Sequence, residues 1–360
     1  MDKQKIKSKK AIIPLVCIGV LAAGLVLIFA WSAGWLGNRT TTASFLKDIP
    51  DSFPAGYRRA HSKGICFEGT FRSTGKLAPF SKATVFSQDS SAVLGRFSIG
   101  TVDPFAADNS TRTVSMAMMI SSENNQQWRM KLNNHPFFVT HDALGVIRRS
   151  DAYKIDSTTG KPNPALVSAF LKDYPEAQNF IDWADKAPWV SSFAVAEYNV
   201  INAFYLIDSK GNKHAVRWSM RPHAPFSAWS KEEREHASHD FLFDDLKQRL
   251  DKGALYWDLV MTFAEPGDEI ENPSKAWPAN RRHIVAGVLE IKRVFDQTEG
   301  GCRDINFDPT KVPAGIEVSK DPVLTARAGI YAHSYNARVR EIGYGKATDA
   351  IGKKETSKDK

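Results

Sequence analysis

The sequence predicts an α+β fold, a closed antiparallel eight-stranded β-barrel with surrounding helices, and three observations carry that prediction. Eight strand-like runs recur without helices alternating between them, the pattern of a closed antiparallel barrel rather than of βαβ units. Helical patterning gathers instead in a few blocks, at 163–186, 231–252 and near the C-terminus. The chain has 360 residues, 42% of them hydrophobic, enough to bury a substantial core in one or two domains.

At the N-terminus Lys3, Lys5, Lys7, Lys9 and Lys10 form a basic segment over residues 1–10. From Ala11 to Trp35 there is no charged residue and nearly every side chain is apolar. Roughly 20 helical residues cross about 30 Å of hydrocarbon, and this run exceeds the 7–15-residue core of a cleaved signal. Residues 11–35 therefore read as an uncleaved transmembrane signal-anchor. A cleaved signal peptide is the alternative, because Ser32-Ala33-Gly34 supplies small residues. Lysines ahead of the span hold the N-terminus in the cytoplasm, so the remainder is expected in the periplasm, tethered to the inner membrane by this helix. Residues 36–44 read as a linker, 45–345 as the folded domain, and 346–360 as a disordered polar tail. Net charge is +8, part of it in the two termini, and no basic stripe with nucleic-acid motifs accompanies it, so no nucleic-acid partner is expected.

Within the domain, strands are expected around 64–72, 91–99, 113–121, 126–140, 192–208, 213–220, 254–264 and 284–294. Ile65, Phe67 and Phe71 mark one face of the first, and Asp208-Ser209-Lys210-Gly211-Asn212 turns a hairpin between the fifth and sixth. Helices are expected at 163–173, 175–186 and 231–252, the last opened by a Ser230/Glu233 capping box and stopped before Gly253. A final helix contains Tyr331, with Ser319 as its cap and Pro322 in its first turn.

That last helix holds the most informative pattern, Arg327-Ala328-Gly329-Ile330-Tyr331. A phenol ordinarily keeps its proton to about pH 10, but an adjacent guanidinium and a bound metal both favour the anion. Spacing of i, i+4 places the two side chains on one helical face, and Arg338 falls on the same stripe. Tyrosine is one of the known proximal ligands of haem iron. Upstream, Arg58-Arg59-Ala60-His61-Ser62-Lys63-Gly64 leads into the first strand, placing His61 at the strand's mouth. Asn133-Asn134-His135-Pro136-Phe137-Phe138 follows a strand and opens an aromatic cluster suited to a buried pocket.

Together these segments resemble the catalase superfamily, and most of all its small catalase-related haem peroxidases, from about residue 45 to about residue 345. His61 matches the distal histidine within Arg-x-x-His-x-Lys-Gly, Asn133 the distal asparagine, and Tyr331 the axial iron ligand within Arg-x-x-x-Tyr. Arg96-Phe97-Ser98, Val260-Met261-Thr262-Phe263, Phe307-Asp308-Pro309 and Pro313-Ala314-Gly315-Ile316-Glu317 match in the same order. The resemblance implies a catalase-like haem domain over 45–345, with the Tyr331 helix closing the pocket beneath the barrel. Its implied cofactor is haem b. It makes His61 and Asn133 catalytic, Tyr331 the metal ligand, and Arg58, Arg96, Ser98, Phe138, Arg327 and Arg338 cofactor-binding, with Arg58, Arg96 and Arg338 facing the propionates.

The expected activity is that of a haem-dependent peroxidase reducing hydrogen peroxide or organic hydroperoxides by way of compound I, with weak or residual catalase activity. The electron donor is not readable. Departures from the family pattern support this leaning. Ala60 replaces a larger residue beside the distal histidine, and Val146 stands where a second pocket phenylalanine is usual, both widening access. Ser219 replaces a histidine of the proximal relay, of which Asp321 and Arg327 remain. The chain ends soon after the haem helix, and no counterpart of the nicotinamide-nucleotide positions near 190–220 is found, so NADPH binding is not expected. The alternatives are an efficient catalase, a hydroperoxide isomerase or dehydratase of the allene oxide synthase type, and a non-catalytic haem-binding module. Of three cysteines, Cys17 lies in the apolar span. Cys66 and Cys302 read as two buried free thiols, with a single disulfide as the alternative open in an oxidising compartment.

Overall fold

The computed structural model describes residues 3–32, 53–298 and 301–343. The linker expected at 36–44 and the tail expected at 346–360 lie outside the described residues. The chain divides into two units, residues 1–48 and 49–360. The first contains helix α1, Lys3–Ser32. Its side chains are described from residue 16 onward, and among the described residues no helix is long and apolar enough to cross a membrane.

The second unit is a barrel. Eight antiparallel strands close it: β1 (Gly64–Ser73), β2 (Ser90–Ile99), β3 (Val114–Ser121), β4 (Gln127–Asn133), β6 (Tyr198–Asn199), β8 (Lys213–Pro222), β10 (Leu255–Phe263) and β11 (His283–Asp296). They pair in that order, and β11 returns to β1, so no edge is left open along the ring. Short β7 (Phe204–Ile207) pairs with β8 beside the ring and carries β12 (Ile316–Val318), while β5 (Trp189–Val190) and β9 (Ala228–Trp229) form a separate pair.

Alternation along the strands explains the closure. Ile65, Phe67 and Phe71 on β1, Phe97 on β2, Met116 and Met118 on β3 and Trp128, Met130 and Leu132 on β4 all fall on one face and fill the core. Phe97 is its hub, within 4.9–5.9 Å of the rings of Phe67, Phe193, Tyr198 and Trp257. Each such ring contributes about 1.5–3 kcal/mol on burial. Gly95 makes room: a Cβ there would stand 2.1 Å from the Phe67 ring.

The expected strand between 192 and 208 is interrupted, with only residues 198–199 and 204–207 in strands. Phe193–Val195 forms a 3-10 turn instead, started by Ser192, whose side chain accepts from Ala194 N at 3.0 Å. The hairpin turn at 208–212 is present, held by Asp208 Oδ1 accepting from Lys210 N and Asn212 N, with Gly211 in the left-handed region at φ 86°.

Helix α2 (Ala143–Ala152) was not expected. Its only strong sequence signal is Asp142, which caps Gly145 N at 2.7 Å. Helices α3 (Pro164–Asp173) and α4 (Ala177–Lys186) lie where expected. The expected helix over 231–252 is two, α5 (Lys231–Glu235) with its Ser230/Glu233 capping box, and α6 (Phe241–Lys252). The break is a tertiary effect. Buried Lys63 pairs with Asp108 at 2.6 Å and Asp240 at 2.5 Å, while Asp108 accepts Leu242 N and donates its own N–H to His239 O. Those bonds take over the backbone groups that a continuous helix would use.

The last helix, α7, runs Pro322–Gly343. Its cap is Asp321 rather than Ser319: Asp321 Oδ1 accepts from Val323 N at 2.8 Å and Leu324 N at 3.3 Å. With Pro322 as the first helical residue, the position immediately before it is the one whose side chain reaches the free amides.

Candidate active site

Barrel register assembles the site. Gly64, Ser98, Ser115, Asn133, Asn199 and Ser219 are direct partners across successive strands and form one polar row at the barrel rim. Two residues along, Cys66, Arg96, Ala117 and Lys131 form the next row on the same face. Residues two apart on a strand share a face, so both rows point away from the core and towards α7. Cys66, Ala117, Cys302 and Phe307 are buried there, with Tyr331, Phe295 and Ile305 packed against them. Neither row is apparent in the linear sequence, because each member belongs to a different strand.

Cys66 and Cys302 are joined in a disulfide, with Cα atoms 5.6 Å apart. The reading as two free thiols is therefore corrected. Cys66 faces outward on β1, and the 3-10 turn Gly301–Asp304 brings Cys302 over that face, a proximity no sequence spacing reveals.

His61 stands three residues ahead of β1 with φ at +51°, the left-handed region that non-glycine residues seldom occupy. The segment is held by its surroundings. Arg59 pairs with Glu341 on α7, Gly56 N donates to Glu341 Oε2 at 2.9 Å, and Ser62 Oγ donates to Arg58 O. His61 Nδ1 lies 3.1 Å from Ser115 Oγ, and Ser115 Oγ donates to Asn133 Oδ1 at 2.7 Å. A hydroxyl has a single proton. With that proton spent on Asn133, Ser115 accepts from His61 Nδ1–H, and Nε2 is left as the basic nitrogen. Burial, followed by the charges of Lys131 and Arg96, pushes the His61 imidazole well below its usual range, so it is neutral at pH 7. Asn133 Oδ1 also accepts from Lys131 Nζ at 3.2 Å, which leaves the amide Nδ2 as the outward donor.

On α7, Arg327 donates to Tyr331 Oη at 3.2 Å, and its guanidinium lies 5.5 Å from the Tyr331 ring centre. Behind it runs a buried relay, of which the sequence reading had Asp321 and Arg327 but missed Asn202, the link between them. Arg327 Nη1 donates to Asn202 Oδ1, and Asn202 Nδ2 donates to Asp321 Oδ2 at 2.6 Å. Asn202 is fully buried between β6 and β7, so an amide links the helix cap to the tyrosine. Ser219 lies on β8 opposite Asn199 and is not a member of that chain of bonds.

Three further arginines converge on the site. Arg58 donates to Cys302 O and Ile305 O, both at 2.9 Å; Arg96 donates to Ser62 O at 2.8 Å and to Gln297 Oε1; Arg338 Nε donates to Arg303 O at 3.1 Å. All these acceptors are neutral, and among the described residues none of the three has a carboxylate within ion-pair distance. Asp304, whose charge reaches Arg58 and Arg338, is itself paired with Arg303 at 2.7 Å. Burial pushes Arg96 down to about 9 and Arg338 down to about 10, and Arg58 well below its ordinary value. Gly64 is required here, since a Cβ would stand 2.4 Å from the Arg96 guanidinium. Ser98 Oγ is buried without a hydrogen-bond partner among the described residues. Buried cations lacking counter-charges, beside an orphaned hydroxyl, are what carboxylates of a bound group would satisfy.

The structure thus brings together His61, Asn133, Arg58, Arg96, Ser98, Arg327, Tyr331 and Arg338. Phe138 packs on an apolar cluster of Val139, Ala152, Phe170, Tyr174 and Ala177. Ser115, Lys131 and Asn202 are additions. Ser115 is one serine among many in sequence, and only its register between Ser98 and Asn133 distinguishes it.

Residues 54–345 match the family model described as Catalase. The chain belongs to the catalase family. It is 32% identical over 326 residues to a protein of Synechococcus elongatus named catalase-related peroxidase, covering 89% of this chain and 96% of that one. It is 28% identical to another of that name from Mycolicibacterium paratuberculosis, covering 79% of this chain and 89% of the relative. Among solved structures, a fungal catalase superposes with a TM-score of 0.71 at 18% identity, over 82% of this chain and 61% of that one. A bacterial catalase does so at 0.70 and 19%, over 82% and 59%. The chain therefore spans about three fifths of those catalases and nearly all of the catalase-related peroxidase from Synechococcus.

Proposed function

We propose that this protein is a haem-dependent peroxidase that reduces hydrogen peroxide or organic hydroperoxides, with weak catalase activity. One observation carries the reading. The Ser115-bridged pair His61/Asn133 and the Arg327/Tyr331 pair on α7 belong to one site with Arg58, Arg96 and Arg338, none of which has a carboxylate within ion-pair distance among the described residues. The residues fit haem b. Tyr331 is the iron ligand, with the Arg327 guanidinium placed to hold the anionic oxygen, and Arg58, Arg96, Arg338 and Ser98 Oγ take the propionates. When bound, haem supplies the redox centre that accepts oxidising equivalents from peroxide and passes them to a donor.

The chain's own contributions follow from the geometry. Neutral His61 takes a peroxide proton on Nε2 and returns it to the departing oxygen as the O–O bond breaks, so that water leaves from hydrogen peroxide and an alcohol from an organic hydroperoxide. Ser115 keeps the imidazole in the tautomer this requires. Asn133 Nδ2 donates to the peroxide and orients it, a fixed dipole needing no reorganisation. Asn202 and Asp321 hold Arg327 against Tyr331. Small Ala60 and partly buried Val146 favour larger peroxides and donors.

The uncharged run from Ala11 to Trp35 behind five lysines supports a membrane tether, and the Cys66–Cys302 disulfide supports an oxidising compartment. On this reading residues 11–35 anchor the protein in the inner membrane with its enzymatic domain in the periplasm. The discriminating experiment compares oxygen evolution with donor oxidation by the purified haem-loaded protein. Donor oxidation should dominate, whereas oxygen release at rates near those of a full-length catalase would overturn the peroxidase preference.

A further inference from the structure

Lys131 has no place in the scheme above. It is 7% exposed, lies on β4 two residues before Asn133 and on the same face, and donates to Asn133 Oδ1 at 3.2 Å. An ammonium has three donors, and the other two have no partner among the described residues. Burial first, and then the charges of Arg327, Arg96 and Arg58, all positive, push its amine well below the ordinary lysine range. Arg58, Arg96 and Arg338 are matched to the propionates, and Arg327 to Tyr331. Among the described residues no carboxylate lies within ion-pair distance of Lys131. Keeping the charge there without a counter-charge is costly, so an anion bound beside it favours the ammonium, and the group stands beside the amide that orients the peroxide.

We propose that Lys131 makes the pocket beside Asn133 a binding position for a monoanionic group, carried either by the peroxide itself as a carboxylate-bearing hydroperoxide or by a small anionic electron donor. The inference rests on the haem-peroxidase reading and adds a substrate class to it. Lysine suits the role as a compact charge whose free donors meet an anion from several directions.

The test uses the full-length haem-loaded protein and its Lys131→Met and Lys131→Arg variants. Formate titrated into the ferric protein and followed by the absorption spectrum reports the small anion. The ratio of kcat/KM for linoleic acid hydroperoxide over that for its methyl ester reports a carboxylate on the peroxide, and any general loss of rate cancels in that ratio. Lys131→Met should weaken formate about tenfold, equivalent to about 1.4 kcal/mol, while Lys131→Arg keeps it within about threefold. A parallel fall in the acid/ester ratio assigns the anion to the peroxide, and an unchanged ratio assigns it to a free donor. If Lys131→Met does not fold, Lys131→Gln carries the same expectation. Unchanged formate affinity and unchanged ratio in a coloured variant overturn the proposal and leave Lys131 as a prop for Asn133. A colourless wild-type protein fails earlier, before any anion is added, and removes the haem reading as well.

Discussion

Ser115 joins the two residues that would meet the peroxide, because a single hydroxyl proton sets both the His61 tautomer and the orientation of the Asn133 amide. Ser115→Ala should therefore slow the reaction with peroxide by about 100-fold, the lower end of what a positioned acid–base group contributes. Stopped-flow mixing with peroxide measures that rate, and haem content should not change. Full speed would mean that His61 is fixed by other contacts. The neutral histidines also predict a pH profile. His61 is pushed well below its usual range and His135 down to about 4, both chiefly by burial. In the unfolded chain each takes up a proton near pH 6.5. Between that pH and the folded value the unfolded state binds more protons, so stability is full above about 6.5 and falls as pH drops towards 4. Each histidine contributes about 1.4 kcal/mol per pH unit in that window. The rate with peroxide should show no titration near 6.5. Urea midpoints at a series of pH values check the first statement, and a rate collapse centred at 6.5 would contradict the second.

At the scale of elements, the site depends on the outer face of β1–β4 meeting α7 and the segment just before it. The Cys66–Cys302 disulfide ties these together across 236 residues of sequence, and Cys302 O is one of the two carbonyls that hold Arg58. Cys302→Ser should lower stability by about 2–4 kcal/mol and loosen haem retention. Both effects are read by denaturant unfolding without reductant, and identical midpoints would show that packing alone seats the turn. Elements with a repeating local signal were legible in sequence: the period-2 strands at 64–72 and 91–99, and the α5 capping box at Ser230/Glu233. Those shaped by distant partners were not. Asp108 and Lys63 split the helix after Glu235, and α2 announces itself only through Asp142.

For the whole molecule, barrel closure converts scattered residues into one constellation. His61, Asn133 and Tyr331 were readable from local motifs, since each sits in a distinctive run of neighbours. The roles of Ser115, Lys131 and Asn202 emerge only when strands pair and α7 is laid against them. The central claim is that Tyr331 holds iron on the side opposite His61 and Asn133. Its most direct test is the absorption spectrum of the ferric haem-loaded protein before and after Tyr331→Phe. The account predicts a phenolate-ligated high-spin spectrum in the wild type, and loss of both those bands and most of the bound haem in the variant. Identical bands at undiminished haem content in Tyr331→Phe would contradict it.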